Sequence, residues 1–162
     1  MKNFKTELNW AIIYTLASLI WMAIERLVGL HDVHIDKHMI YTNIFMLPAI
    51  LIYLMAVLDK RKKDLEGKMT YRAAFTSGIR LTVFVAILSP VSQVITHSII
   101  SPMFFQNIVA DVVSRGVMTL ESAEQYFSIK NYMIQGVAGS AIMGVLTSAV
   151  VAIIARNVKT ES

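Results

Sequence analysis

Four long apolar stretches, residues 8–28, 39–58, 76–100 and 129–155, alternate with polar ones along the chain. A helix needs about 20 consecutive apolar residues to cross the hydrocarbon of a bilayer, so each stretch predicts a transmembrane helix. Thr70 fits the N-cap of the third helix, with Met69 and Ala74 placed as a hydrophobic staple. The first turns of that helix carry Arg72 and Arg80, which can snorkel to the headgroups. Pro48 and Pro90 fall inside spans and predict kinks.

Residues 103–127 follow a different pattern. Phe104, Phe105, Ile108, Val109, Val112 and Val113 recur at helical spacing, with Gln106, Asn107, Asp111 and Ser114 opposite. This predicts an amphipathic helix lying in the membrane interface. Gly116 stops it, and Thr119 opens a second short helix that ends near Phe127. The expected fold is a single all-α integral membrane domain over residues 1–162. It has four transmembrane helices, with outer interfacial helices at 103–127 before the last span. A signal peptide is the rival reading of the first apolar run. No small-x-small site follows it, and Glu25-Arg26 is a poor flank, so the run is read as a retained span.

Composition agrees with the pattern. Hydrophobic residues make up 56% of the chain and charged residues 16%, against roughly 25% charged in soluble domains. The chain has no cysteine, hence no disulfide and no thiolate ligand or nucleophile.

Charge then orients the spans. The loop 59–72 is strongly basic and divides the chain into two hydrophobic hairpins. With four spans, both termini share its side. Eleven of the fifteen lysines and arginines fall there, Lys2 and Lys159 among them, and the four others are Arg26, Lys37, Arg115 and Lys130. The positive-inside rule makes the basic side cytoplasmic. The expected location is the cell's inner (cytoplasmic) membrane, multi-pass, with both termini inside. Acidic residues divide as five inside, Glu161 included, and six outside, which makes the inside net +6 and the outside net −2. The basic balance therefore reads as topology and as a hold on anionic headgroups at the 59–72 loop. Nucleic acid is not expected as a partner.

Three groups of residues are candidates for function. Gly136, Ser140, Gly144, Ser148 and Ala152 recur every fourth residue on the last helix. Such a small-residue ridge lets another helix approach closely, either within the chain or across a homodimer or a membrane partner protein. His31, His34 and His38 lie at i, i+3 and i+7 in the first outer connector, with Asp32 and Asp36 between them. With one carboxylate they could hold a transition metal; solvated loop residues are the alternative. Glu25, Asn43, Gln93, His97, Lys130 and Gln135 occupy the outer halves of the spans, where polar groups are costly against lipid. They predict a shallow outer vestibule, or else ordinary interhelical hydrogen bonding. No nucleophile–base pair, phosphate loop or paired carboxylates stand out, so no catalytic residue and no cofactor are expected.

Several strings form a recognisable order: Gly29-Leu30-His31-Asp32, Leu58-Asp59-Lys60-Arg61-Lys62, Gly67-Lys68-Met69-Thr70-Tyr71, Leu88-Ser89-Pro90, Ile100-Ser101-Pro102, Tyr126-Phe127, and Thr147 through Ile153. In order and spacing the chain resembles the bacterial membrane-protein family called domain of unknown function 4199. The resemblance implies a small multi-pass membrane protein and supplies no catalytic residue. The leading expectation is a non-enzymatic accessory or scaffold component that packs through the ridge. The alternatives are a small carrier or pore using the outer vestibule, and a metal-binding membrane protein using the histidine loop.

Overall fold

The computed structural model describes residues 4–158; Lys2, Lys159 and Glu161, counted in the charge tally, lie outside them. The fold is 83% helical, and the described residues contain no strand. Among the described residues seven α-helices follow in order: α1 (Lys5–Leu27), α2 (His38–Tyr41), α3 (Met46–Asp64), α4 (Tyr71–Ile95), α5 (Phe104–Ser114), α6 (Leu120–Tyr126) and α7 (Ile129–Ala155). Short 3₁₀ segments precede α2 and α3, and a π-helical turn, Thr96–Ile100, extends α4. Among the described residues four stretches are long and apolar enough to cross a membrane: Lys5–Leu27, Ile35–Asp64, Tyr71–Ile100 and Ile129–Ala155.

The helix ends follow local chemistry. Thr70 caps α4 by accepting from the Ala73 amide, and Thr119 caps α6 by accepting from that of Ser122. Helix α1 ends in a Schellman motif. Leu30 N donates to Glu25 O at 2.9 Å and Gly29 N to Arg26 O at 3.2 Å, with Gly29 at φ +80. A second such end closes α5, where Val117 N donates to Val112 O around Gly116.

The prolines act differently from one another. Pro48 falls in the first turn of α3, where a missing N–H costs little, and the break lies before it in the 3₁₀ segment Thr42–Phe45. Pro90 sits well inside α4, six residues before the π turn begins.

The long helices run antiparallel, which gives the molecule a basic end and a histidine end. The basic end gathers the start of α1, the end of α3, the start of α4 and the end of α7. Arg61 there donates to the Ala155 carbonyl at 2.9 Å. Both described chain ends lie there too. Phe4 sits under Arg80, and Asn157 accepts from Met69 N at 2.8 Å and donates to Gly67 O at 2.8 Å. Helix α3 continues to Asp64, so much of the basic stretch is helix and the connector to α4 is short.

The buried core is in two parts. One fills the basic half and includes Tyr53, Val57, Leu81, Val85 and Val151. The other lies beneath α5 and α6 and includes Phe104, Ile108, Val112 and Phe127. Ile108 and Val112 follow Phe104 by four and eight positions, so α5 buries one face. Large apolar side chains such as Leu16, Ile20, Ile87, Ile142 and Ile153 point outward on the long helices.

The small-residue ridge meets α4. A Cβ on Gly144 would collide with the Thr82 side chain, and one on Gly136 would come within 2.6 Å of Ser89 Oγ. From the other side, a Cβ on Gly78 would meet Ser148 Oγ at 2.5 Å. Gly144, Ser148 and Ala152 are buried, and Ser140 is half-buried beside a cavity.

Candidate functional site

The histidine end is organised by the turn after α1. The Schellman motif reverses the chain at Gly29 and lays His31 back over Glu25, which lies one turn before the helix end. His31 Nε2 stands 3.2 Å from Glu25 Oε2. His38 opens α2 and brings its Nδ1 within 3.2 Å of the same carboxylate oxygen. The other oxygen, Oε1, accepts the indole N–H of Trp21, four residues earlier on α1. Glu25 and His31 are each 1% exposed.

The second core closes over this group. Phe104 packs edge-on against His31 and His38, with ring centroids at 5.2 and 5.0 Å. Asn107, one turn along α5, donates to the His31 carbonyl at 2.9 Å. His97, on the π turn, packs on Phe104, Phe105 and Tyr132, and its Nε2 pairs with Gln93 Oε1 at 3.1 Å. The loop is clamped outside by the exposed Arg26–Asp32 pair at 3.1 Å.

Beneath the histidines lies a cavity of about 570 Å³, walled by His31, His38, Asn43, Gln93, His97 and Gln135 among others. Gln93, Gln135 and Gly136 also line a second cavity of about 300 Å³, with Ser18, Ser89 and Ser92. Tyr14, Phe45 and Ser140 join that one to a third, of about 240 Å³, which ends on Tyr53 and Gly144. Below it, Tyr53 OH pairs with Thr82 Oγ1 at 3.0 Å, and Leu81 is fully buried. Adjoining cavities, lined by both polar and apolar side chains, thus extend from the histidine end toward the dry core in the middle of the bundle.

The basic end holds an ionic network centred on the buried Glu7 and Lys60, with a cavity of about 410 Å³ beside it, walled by Thr6, Asp59 and Asp64 among others. Lys60 Nζ lies 3.1 Å from Glu7 Oε2 and 2.9 Å from Asp64 Oδ2. Ser77 donates to Glu7 Oε1 at 3.1 Å, and Thr6 to Asp64 Oδ2 at 3.0 Å. Arg80 stands 3.8 Å from Glu7 Oε1. The network ties α1, α3 and α4 together.

Of the histidine loop, the structure joins His31 and His38 to Glu25, while His34 is exposed and outside the group. Asn43, Gln93, His97 and Gln135 line the cavity together. Glu25 sits behind the histidines rather than in the wall, and Lys130 is exposed in the first turn of α7. Sequence reasoning did not single out Trp21, Phe104 and Asn107 as site residues, nor Glu7 and Lys60 as a pair. The i, i+4 spacing of Trp21 and Glu25 was the one local signal for any of them.

Fold and site together define a small all-helical protein with four membrane-length helices and adjoining cavities beneath a buried Glu–His–His group. The chain belongs to the family described as protein of unknown function DUF4199, whose family model matches residues 9–157. No curated protein and no solved structure matches it.

Proposed function

We propose that this protein is a non-enzymatic multi-pass membrane carrier that takes a small polar solute into the vestibule at its histidine end. The observation that carries the reading is a run of adjoining cavities with polar groups in their walls, which begins beneath the histidines and reaches Tyr53, next to Thr82. Polar groups inside a span are expensive unless they face water or one another. Here Ser92, Gln93, Gln135 and Ser140 line one space, and of these Ser92 pairs with Ser18 of α1 at 3.5 Å. The positive-inside rule makes the basic end cytoplasmic, so the vestibule faces outward and the Glu7–Lys60–Asp64 network is the inner closure. An accessory role through the small-residue ridge loses support because α4 occupies that ridge. The exposed Lys62, Lys63, Lys68 and Arg72 of the inner surface suit anionic headgroups.

A carrier must open the inner closure to release its solute, as alternating access requires. The test is uptake of labelled small polar solutes and divalent cations into proteoliposomes. Wild type is compared with a Thr6→Cys/Asp64→Cys protein cross-linked across the closure. Saturable uptake of at least one solute, abolished by cross-linking and restored by reduction, is expected. Uptake of none, or uptake indifferent to the cross-link, contradicts the carrier.

A further inference from the structure

We infer that Glu25, His31 and His38 form a binding site for a divalent transition-metal ion, with zinc the best match. The site rests on the vestibule reading only for the route by which the ion arrives; the ligand geometry stands by itself.

Each of the three residues offers one ligand atom, and these atoms all lie within 4.8 Å of one another. Two of the separations are 3.2 Å, from Glu25 Oε2 to His31 Nε2 and to His38 Nδ1. Zinc–nitrogen and zinc–oxygen bonds of about 2.0–2.1 Å in a tetrahedron set ligand atoms about 3.3 Å apart along each edge. The observed spacing is already that of two such edges.

Hydrogen bonding points the same way. One carboxylate oxygen faces two imidazoles. His38 Nδ1 is buried 3.2 Å from it without the alignment of a hydrogen bond. Buried polar atoms of this kind are uncommon and call for a cause. Two imidazolium ions side by side, their ring centroids 5.2 Å apart, would share a single negative charge. A cation among the three groups instead lets both imidazoles stay neutral and the carboxylate remain ionised.

The surroundings hold the set in place as outer-shell groups do around metals. The Trp21 indole N–H fixes Glu25 Oε1 and leaves Oε2 for the ion. Asn107 fixes the His31 backbone, and Phe104 limits both rings.

Ligand chemistry narrows the ion. Two imidazoles and one carboxylate suit zinc or another borderline divalent metal. Calcium and magnesium ask for oxygen ligands, and this chain has no thiolate to favour copper(I). Both histidines also line the large cavity, which gives the ion a route to them.

The test is titration of the metal-stripped, detergent-solubilised full chain with Zn²⁺ alone, read by calorimetry and by thermal unfolding. Co²⁺ substitution reads the geometry through its visible absorption. The expected result is one equivalent of zinc, a raised unfolding temperature and a tetrahedral cobalt spectrum. His34→Ala should leave affinity unchanged. Trp21→Phe should weaken it by about 10–100-fold, the usual cost of an outer-shell partner, and Glu25→Gln, His31→Ala or His38→Ala by more. Binding should also weaken in acid, because protons compete for the ligands. No stoichiometric zinc on the wild-type chain, or binding lost with His34→Ala and kept with Glu25→Gln, overturns the site and leaves a buried His–Glu ion pair. That result would not touch the vestibule, whose openness is read by labelling.

Discussion

Gly144 shows how tightly single positions are specified. Its missing Cβ leaves room for Thr82, which also pairs with Tyr53 at the floor of the passage. Gly139, on the same helix, faces open space: a Cβ there would meet nothing within 4 Å. Gly144→Ala should therefore destabilise by about 1–3 kcal/mol through overpacking, while Gly139→Ala should be neutral or stabilise by about 0.5–1 kcal/mol. Unfolding in detergent by heat or denaturant separates the two. Lys60 makes a second case, since its loss would leave Glu7, itself 1% exposed, without its closest cation. Lys60→Met should cost about 3–5 kcal/mol, as broken buried pairs do. The double change Glu7→Gln/Lys60→Met should recover a large part of that, because the buried carboxylate is gone and Asp64, which also loses Lys60, is exposed to solvent. A double-mutant cycle on unfolding free energy reads the coupling.

Among the elements, the turn after α1 decides the site. Gly29 lies at φ +80, and a Cβ there would come within 2.6 Å of Val33 Cγ2. Gly29→Ala adds the left-handed penalty of about 1–2 kcal/mol to that clash. It should loosen the Leu30 and His34 amides, both tied to this turn, which hydrogen exchange would detect. The same turn explains why the histidine spacing misleads. Read as a helix, His34 and His38 share a face. Residues 28–34 instead form turns and 35–37 a 3₁₀ segment, so His34 faces out while His31 folds back on Glu25. The apolar runs were legible because length and hydropathy alone specify a span, and the ridge because four-residue spacing is local. Glu7–Lys60 was not legible. Its partners are 53 positions apart, and Lys60 sits in a basic run that reads as a solvated loop until α3 is seen to continue through it.

At the scale of the molecule, two dry cores bracket a polar middle. One core lies at the basic end beside the ionic network. Helices α5 and α6 form the other core and roof the histidine group without filling the cavity beneath it. Phe104 is the keystone of that roof, touching His31, His38 and His97 while 1% exposed. Phe104→Ala should cost about 3–5 kcal/mol and make α5 the first element to exchange its amides. A carrier of this design needs a passage that is wet, opens outward and ends at Thr82. Because the chain has no cysteine, single cysteines report directly on this. The decisive experiment is labelling of Ser92→Cys, Gln135→Cys and Thr82→Cys by a membrane-impermeant thiol reagent, in intact cells and in inside-out vesicles. The first two should label in cells and not in inside-out vesicles, with Thr82→Cys unreactive in both. Labelling of Gln135→Cys from the cytoplasmic side, or of none of the three from either side, would contradict the outward-facing passage.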